Sequence, residues 1–341
     1  MVEAGSRVPV TRADAGRWLT VLFFVIGLLF AVVARLADDV FFLRLATEAL
    51  ILGGLALSVD LLLGRTGLLP LGQALFFGLG AYVSALVLKH VDASFWLALL
   101  ASLSVSALAG LVGGVIAIRS KGVYFALISF GLAQVVSKIV YNTRELGASD
   151  GLIGVPTVAV VPGLMTNDPL GFFLATLTLM ALLVALLAYL GRTPFGRQLV
   201  AIRSNEHRLA FLGFDPWRYK LAAFVLAACV AGVSGALYPM LRGFVSPELM
   251  YFQVSGNAVI NVVVGGSGHL IGPMVGSALL TGLRSLIGSY TVHHQIVIGL
   301  IFIVVVIVFP RGLVGYAIPA PQRRLDRRRE PAAALETRTA P

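Results

Sequence analysis

Polar side chains able to handle a solute or a partner are few in this chain, and they gather in two places. Gln253, Asn257 and Asn261 stand at i, i+4 and i+8 inside an apolar stretch. That spacing sets three neutral amides along one helical stripe drifting by only about 80°. Amides offer donors and acceptors without a fixed charge, which suits a zwitterion that must pass without being trapped. The same amides serve equally well as hydrogen bonds between helices, worth about 0.6–2 kcal/mol each. The second place is the segment 191–220. Thr193-Pro194 marks a helix start there, because Pro suits the first helical position. Ser204 is positioned to cap a second short helix, with Gly213 as its C′ residue. Ala201, Ile202, Leu209, Ala210 and Leu212 alternate with Arg197, Arg203, Glu206 and Arg208. Such a surface fits either anionic lipid or the groove of a cytoplasmic partner. Two short capped helices are also stiff enough for a motor protein to push on.

Other residues carry narrower expectations. Gly72, Gly78 and Gly80, with Ala74 four residues before Gly78, allow close approach of helix backbones in lipid, and Ser102 and Ser106 suit interhelical hydrogen bonds. Asp150, in Gly147-Ala-Ser-Asp-Gly151, either orders its own loop through an Asx-turn or meets a docked partner. Gly265-Gly266 and Gly268, followed by Gly272-Pro273, form a tight turn and not a dinucleotide motif, since no strand precedes them. Asp60 and Glu48 are the ionisable residues closest to an apolar interior; Asp60 is expected to pair with Arg65 or to meet headgroups.

Motifs for energy conversion and catalysis are missing. The sequence has no G-x-x-x-x-G-K-[ST] phosphate loop, no H-E-x-x-H and no G-x-S-x-G elbow. It shows no Cys/His cluster for a metal, and its single cysteine, Cys229, forms no intramolecular disulfide. No cofactor is expected, and an enzyme is not the reading these residues favour.

The elements that position these groups are apolar helices. Of 341 residues 58% are hydrophobic and 12% charged, with a mean hydropathy of +0.93; soluble domains carry about 25% charged residues. Apolar runs at 18–34, 45–63, 68–88, 95–118, 122–141, 171–190, 221–241, 251–265, 270–288 and 295–310 predict an all-α polytopic transmembrane bundle of about ten spans. The first run is too long for a signal h-region and lacks an A-x-A site, so it is expected to be an uncleaved helix. With both termini in the cytoplasm, most of the 26 basic residues fall on the inner side, as the positive-inside rule requires. The net charge of +10 thus points to a membrane, not to nucleic acid. The same bias favours a crossing by 251–265 over a re-entrant hairpin, because a missing span would put Arg323–Arg329 outside. The expected organisation is a cytoplasmic segment 1–17, a permease domain 18–316 with its long inner loop at 191–220, and a basic disordered tail 317–341.

The inner loop resembles the coupling loop of bacterial ABC-importer permeases, whose pattern centres on E-A-A followed by a glycine. Here it stands as Asn205-Glu206-x-x-x-Ala210-x-x-Gly213, within GRQLVAIRSNEHRLAFLGFDPWRYKLAAF. That stretch is similar to the LivM-type permeases of high-affinity branched-chain amino acid importers. GRTGLLPLGQALFFGLGAY (64–82), RSKGVYFALISFGLAQ (119–134), ASDGLIGVP (148–156), VVVGGSGHLIGPMVGSAL (262–279) and VFPRGLVG (308–315) resemble other parts of the family, in family order. Pro70 departs from the usual Ser and Arg65 from a frequent aromatic residue, both at the start of the third span.

The resemblance implies half of a transmembrane pathway in the cell inner membrane. A homologous second permease subunit, two ATP-binding subunits and an extracytoplasmic solute-binding protein complete it. Gly196, Arg197, Arg203, Asn205, Glu206, Ala210 and Gly213 would then form the surface facing the ATPase, and Gln253, Asn257 and Asn261 the candidate path. Import of urea or short-chain amides is the alternative within the class. A stand-alone secondary transporter or channel is the alternative outside it, weakened by the scarcity of buried ionisable groups.

Overall fold

A computed structural model describes residues 12–36, 39–161, 164–290, 294–309 and 312–317. The expectations for residues 1–11 and for the tail beyond Ala317 lie outside the described residues. Each of the ten apolar runs holds a helix. In chain order these are α1 (Arg12–Leu36), α2 (Val40–Thr66), α3 (Gln73–His90), α4 (Phe95–Ala117), α5 (Val123–Asn142), α6 (Pro169–Arg192), α9 (Pro216–Arg242), α10 (Phe252–Gly265), α11 (Gly272–Gly288) and α12 (His294–Val308). Two short helices, α7 (Pro194–Ser204) and α8 (Glu206–Phe211), fill the long loop, and α13 (Gly312–Ala317) follows α12.

Helix ends follow local chemistry. The Asp39 carboxylate accepts from the N–H groups of Phe41 and Phe42 at 3.1 and 3.4 Å, opening α2. Asp168 does the same for Leu170 and Gly171 ahead of Pro169, opening α6. Gly67 closes α2 and Gly243 closes α9 in the left-handed conformation, with φ of 76° and 75°.

At the core of the bundle α9 packs on α2, α3 and α4. Burial of apolar surface does not drive helices together in lipid, so close backbone approach and hydrogen bonds must. Gly80 lies against the Gly232 carbonyl and Gly235 against the Phe77 carbonyl, leaving no room for a β-carbon at either glycine. Ser102 Oγ donates to the Gly80 carbonyl and Ser84 Oγ to the Ala236 carbonyl, each at 2.9 Å. Gly72 and Gly78 are equally tight, against Ser129 and Met250.

One end of the bundle carries the connection between α5 and α6. There β1 (Leu152–Ile153) pairs antiparallel with β4 (Phe244–Val245), and β2 (Ala159–Val161) with β3 (Leu164–Met165). Trp96 Nε1 donates to the Val160 carbonyl at 3.0 Å, and Lys89 Nζ to the Ile153 carbonyl at 3.2 Å, seating these strand pairs on α3 and α4. The opposite end carries α7, α8 and the turn from Gly266 to Ile271.

Among the described residues seven helices are long and apolar enough to cross a membrane. α3, α10 and α11, with 18, 14 and 17 residues, are not among them. At 1.5 Å per residue the 14 residues of α10 cover about 21 Å, short of a hydrocarbon core of about 30 Å. Non-helical backbone adjoins two of these shorter helices. The chain from β4 through Pro247–Met250 precedes α10, and Leu68–Gly72 precedes α3, whose helix starts five residues later than the apolar run suggested because Pro70 and Gly72 interrupt it.

Candidate functional site

The α7–α8 element is built as the loop chemistry predicts, with one shift. Pro194 is the first residue of α7. Gly196 is buried where α7 folds back on the end of α6, close enough to the Leu190 and Gly191 backbone to exclude a side chain. The cap of α8 is Asn205 and not Ser204: Asn205 Oδ1 accepts from the Arg208 N–H at 3.0 Å, while the Ser204 hydroxyl donates back to the Ala201 carbonyl. Gly213 adopts φ +85°. Its N–H donates to the Ala210 carbonyl and that of Phe214 to the Leu209 carbonyl, at 3.0 and 3.4 Å. These two bonds are the Schellman closure, which requires a left-handed residue between them.

Side chains brace this element against the bundle. Glu206 Oε1 pairs with Lys220 Nζ at 2.7 Å, and Lys220 is buried in the first turns of α9. Glu206 Oε2 also lies 3.8 Å from Lys121, in the loop before α5. Arg203 donates through Nη1 to the Gly64 carbonyl at the end of α2. Of the three charged residues expected at the outward surface, Glu206 and Arg203 reach back to the bundle and tie the loop to it, while Arg197 does not share those contacts. The outward side is mixed: Arg203, Asn205, His207 and Arg208 are exposed, beside a bare apolar tip. Phe211 is 91% and Leu212 69% exposed, flanked by exposed Ala210 and Val200, with Arg197 exposed on α7.

Asp60 departs from its expected role. It is buried, and its Oδ1 accepts from the Gly268 N–H at 2.7 Å in place of a close ion pair with Arg65. It thereby ties α2 to the glycine turn, beside the Arg203–Gly64 contact.

The amide stripe on α10 passes through three different surroundings. Gln253 is exposed, Asn257 is half-buried, and Asn261 is buried with an Oδ1 that meets no partner among the described residues. Arg284 of α11 donates through Nη2 to Asn257 Oδ1 at 2.6 Å. Sequence reasoning missed the groups beside the stripe. Ser255 Oγ, on α10, accepts from the Ala74 N–H at 2.9 Å, so the first turns of α3 and α10 abut inside the bundle. Ser129 Oγ accepts from the Leu71 N–H, satisfying non-helical backbone there. Gln73, at the start of α3, is fully buried, and neither end of its amide has a partner among the described residues. The Pro70–Gly72 break was the available signal for all three.

Asp150 is exposed at the hairpin end and accepts from the Ser149 hydroxyl at 3.1 Å, within a turn held by Gly147 and Gly151 at positive φ. Among the described residues no cluster of His, Cys, Asp and Glu is arranged for a metal.

Residues 41–306 match the family described as the branched-chain amino acid transport system permease component. The chain belongs to that family. It is 30% identical over 299 residues to the high-affinity branched-chain amino acid transport system permease protein LivM of Salmonella typhimurium, covering 81% of this chain and 70% of that one. The Escherichia coli LivM is 29% identical over the same length. The fructose import permease protein FrcC of Rhizobium meliloti is 26% identical over 223 residues, 62% of this chain and 61% of its own. No solved structure matches. The α7–α8 element, the glycine turn and the α3–α10 junction all lie within the matched residues, so their geometry belongs to the permease framework.

Proposed function

We propose that this chain is the permease subunit of an ABC importer for branched-chain amino acids, forming half of the transmembrane path beside a homologous subunit. Its ten apolar helices cross the membrane, with α7–α8 on the cytoplasmic side and the strand pairs outside. Two facts support that orientation: basic residues crowd the α7–α8 end, and Gly312, which follows α12, lies against Gly266 at the end of α10, as an inner-face meeting of the two requires. A separate ATP-binding subunit docks on α7–α8, and an extracytoplasmic binding protein delivers the solute to the opposite end.

The observation carrying this reading is the exposed Phe211–Leu212 tip on an element that is otherwise immobilised. A coupling surface needs both properties. Its outer face must be free to enter a partner's groove, and its inner face must pass the force on. Glu206 hands motion to α9, Arg203 to α2, and Asp60 from α2 to the turn ahead of α11. Gln253, Asn257 and Gln73, around the meeting point of α3 and α10, are the polar groups proposed to line the route. Asn257 offers an amide held in place by Arg284.

The likeness to a fructose permease favours keeping a second solute class open, since the framework alone does not select the cargo. The test is reconstitution of the chain with its partner permease, ATPase and binding protein in proteoliposomes, followed by uptake of labelled leucine, fructose and urea. ATP-dependent leucine uptake is the expected result. Leucine uptake that persists without ATPase would refute the importer reading.

A further inference from the structure

A cavity of about 1000 Å³ lies between α1 and α6, closed at one end by Arg65 of α2 and the turn 268–271, and includes none of the amide-stripe residues. Its wall changes character along its length. Phe24 and Leu28 of α1 face Leu177, Ala181 and Ala185 of α6 across an apolar slot. Arg65, Arg192 and His269 close the end nearest α7. The slot stays open because α6 presents small residues there, at positions 181, 185 and 188, where larger ones would fill it.

Length and charge point to one kind of occupant. From Leu177 to Arg192 the slot follows α6 for about 22 Å at 1.5 Å per residue. That equals roughly one leaflet with its headgroup region. Each described ionisable side chain in the wall is a potential cation. The nearby Asp60 carboxylate is already engaged by the Gly268 N–H. His269 Nδ1 is buried without a partner among the described residues, so the closed end offers a donor or acceptor beside two guanidiniums. Guanidiniums bind phosphate oxygens in a fork. A small soluble anion would fill only this end, leaving the apolar slot empty.

We propose that the slot holds one anionic phospholipid, its phosphate on Arg65 and Arg192 and an acyl chain between α1 and α6. The site braces α1, which joins the bundle chiefly through α2 and α6. It also places the lipid against Arg192, two residues before the start of α7. The proposal does not depend on which solute is carried.

The test is native mass spectrometry of the full chain in mild detergent, titrated with phosphatidylglycerol and phosphatidylcholine bearing identical chains. Each arginine at an anionic headgroup favours binding about fivefold, so a preference for phosphatidylglycerol on the order of 25-fold is expected. Arg192→Gln, a change at an exposed side chain that leaves the fold intact, should cut the preference about fivefold. Arg65→Gln combined with Arg192→Gln should abolish it. Ala185→Phe should lower retention of both lipids by filling the slot. Equal retention of the two lipids by the unaltered chain, or no effect of Arg192→Gln, would overturn the proposal. So would displacement of phosphatidylglycerol by inorganic phosphate together with unchanged retention in Ala185→Phe, which would mark a free-anion site.

Discussion

Removing the Glu206 carboxylate should loosen the docking element before it affects any contact with a partner. Lys220 Nζ lies 2.7 Å from Glu206, with the lysine side chain 4% exposed and the glutamate 27% exposed. Breaking a buried pair from one side costs about 3–5 kcal/mol, because the other charge is left desolvated. Water reaches Glu206, so a smaller loss of about 2–3 kcal/mol is expected for Glu206→Ala. Lys121, mostly exposed and 3.8 Å away, adds little. Lys220→Met keeps the buried stem and removes the charge, so adding it to Glu206→Ala should restore most of the stability. The coupling in the double-mutant cycle is then about 2 kcal/mol. The assay is reversible unfolding of the four proteins in mixed micelles, with hydrogen exchange across 206–213 as a local readout. A Glu206→Ala loss below about 0.5 kcal/mol, or simple additivity in the cycle, would show that the pair does not hold the loop.

Further outcomes follow from other contacts. Gly213→Ala forces a β-carbon into the left-handed region at a cost of about 1–2 kcal/mol, and should raise hydrogen exchange of α8 without changing that of α9. Gly80→Leu places a side chain into the Gly232 backbone and should lower the yield of folded chain sharply, by more than about 3 kcal/mol, whereas Gly282→Leu, which meets nothing within 4 Å, should not. Asn257→Ala in an assembled complex should reduce leucine uptake several-fold without altering ATPase docking. Unchanged uptake would remove the amide stripe from the path and leave it as a tie to Arg284.

Much of this architecture is legible in the sequence because lipid permits few solutions. An apolar run bounded by charge or by Gly and Pro becomes a helix, and Pro194 and Gly213 mark ends that backbone geometry alone dictates. At Gly80 of α3 only a residue without a β-carbon fits against the Gly232 carbonyl. What the sequence hides is partnership across the fold. The direction of Glu206 depends on Lys220, one helix later, and on Lys121, before α5. Nothing in the loop's own pattern distinguishes a charge that grips α9 from one that meets a partner. The role of Asp60 is hidden in the same way, since its partner is a backbone N–H more than two hundred residues away. The apolar run begins before α3 does, because Pro70 and Gly72 interrupt the helix without interrupting the hydrophobicity, and Ser129 satisfies the Leu71 N–H there.

The most direct test of docking is site-specific cross-linking at the exposed tip. Cysteine placed at Phe211 should cross-link to the co-expressed ATP-binding subunit and not to the second permease, and Phe211→Asp should abolish ATP-driven uptake while the subunit remains folded. Should Phe211→Asp leave uptake intact and the cysteine find no ATPase, the α7–α8 tip is not where ATP hydrolysis reaches this membrane protein.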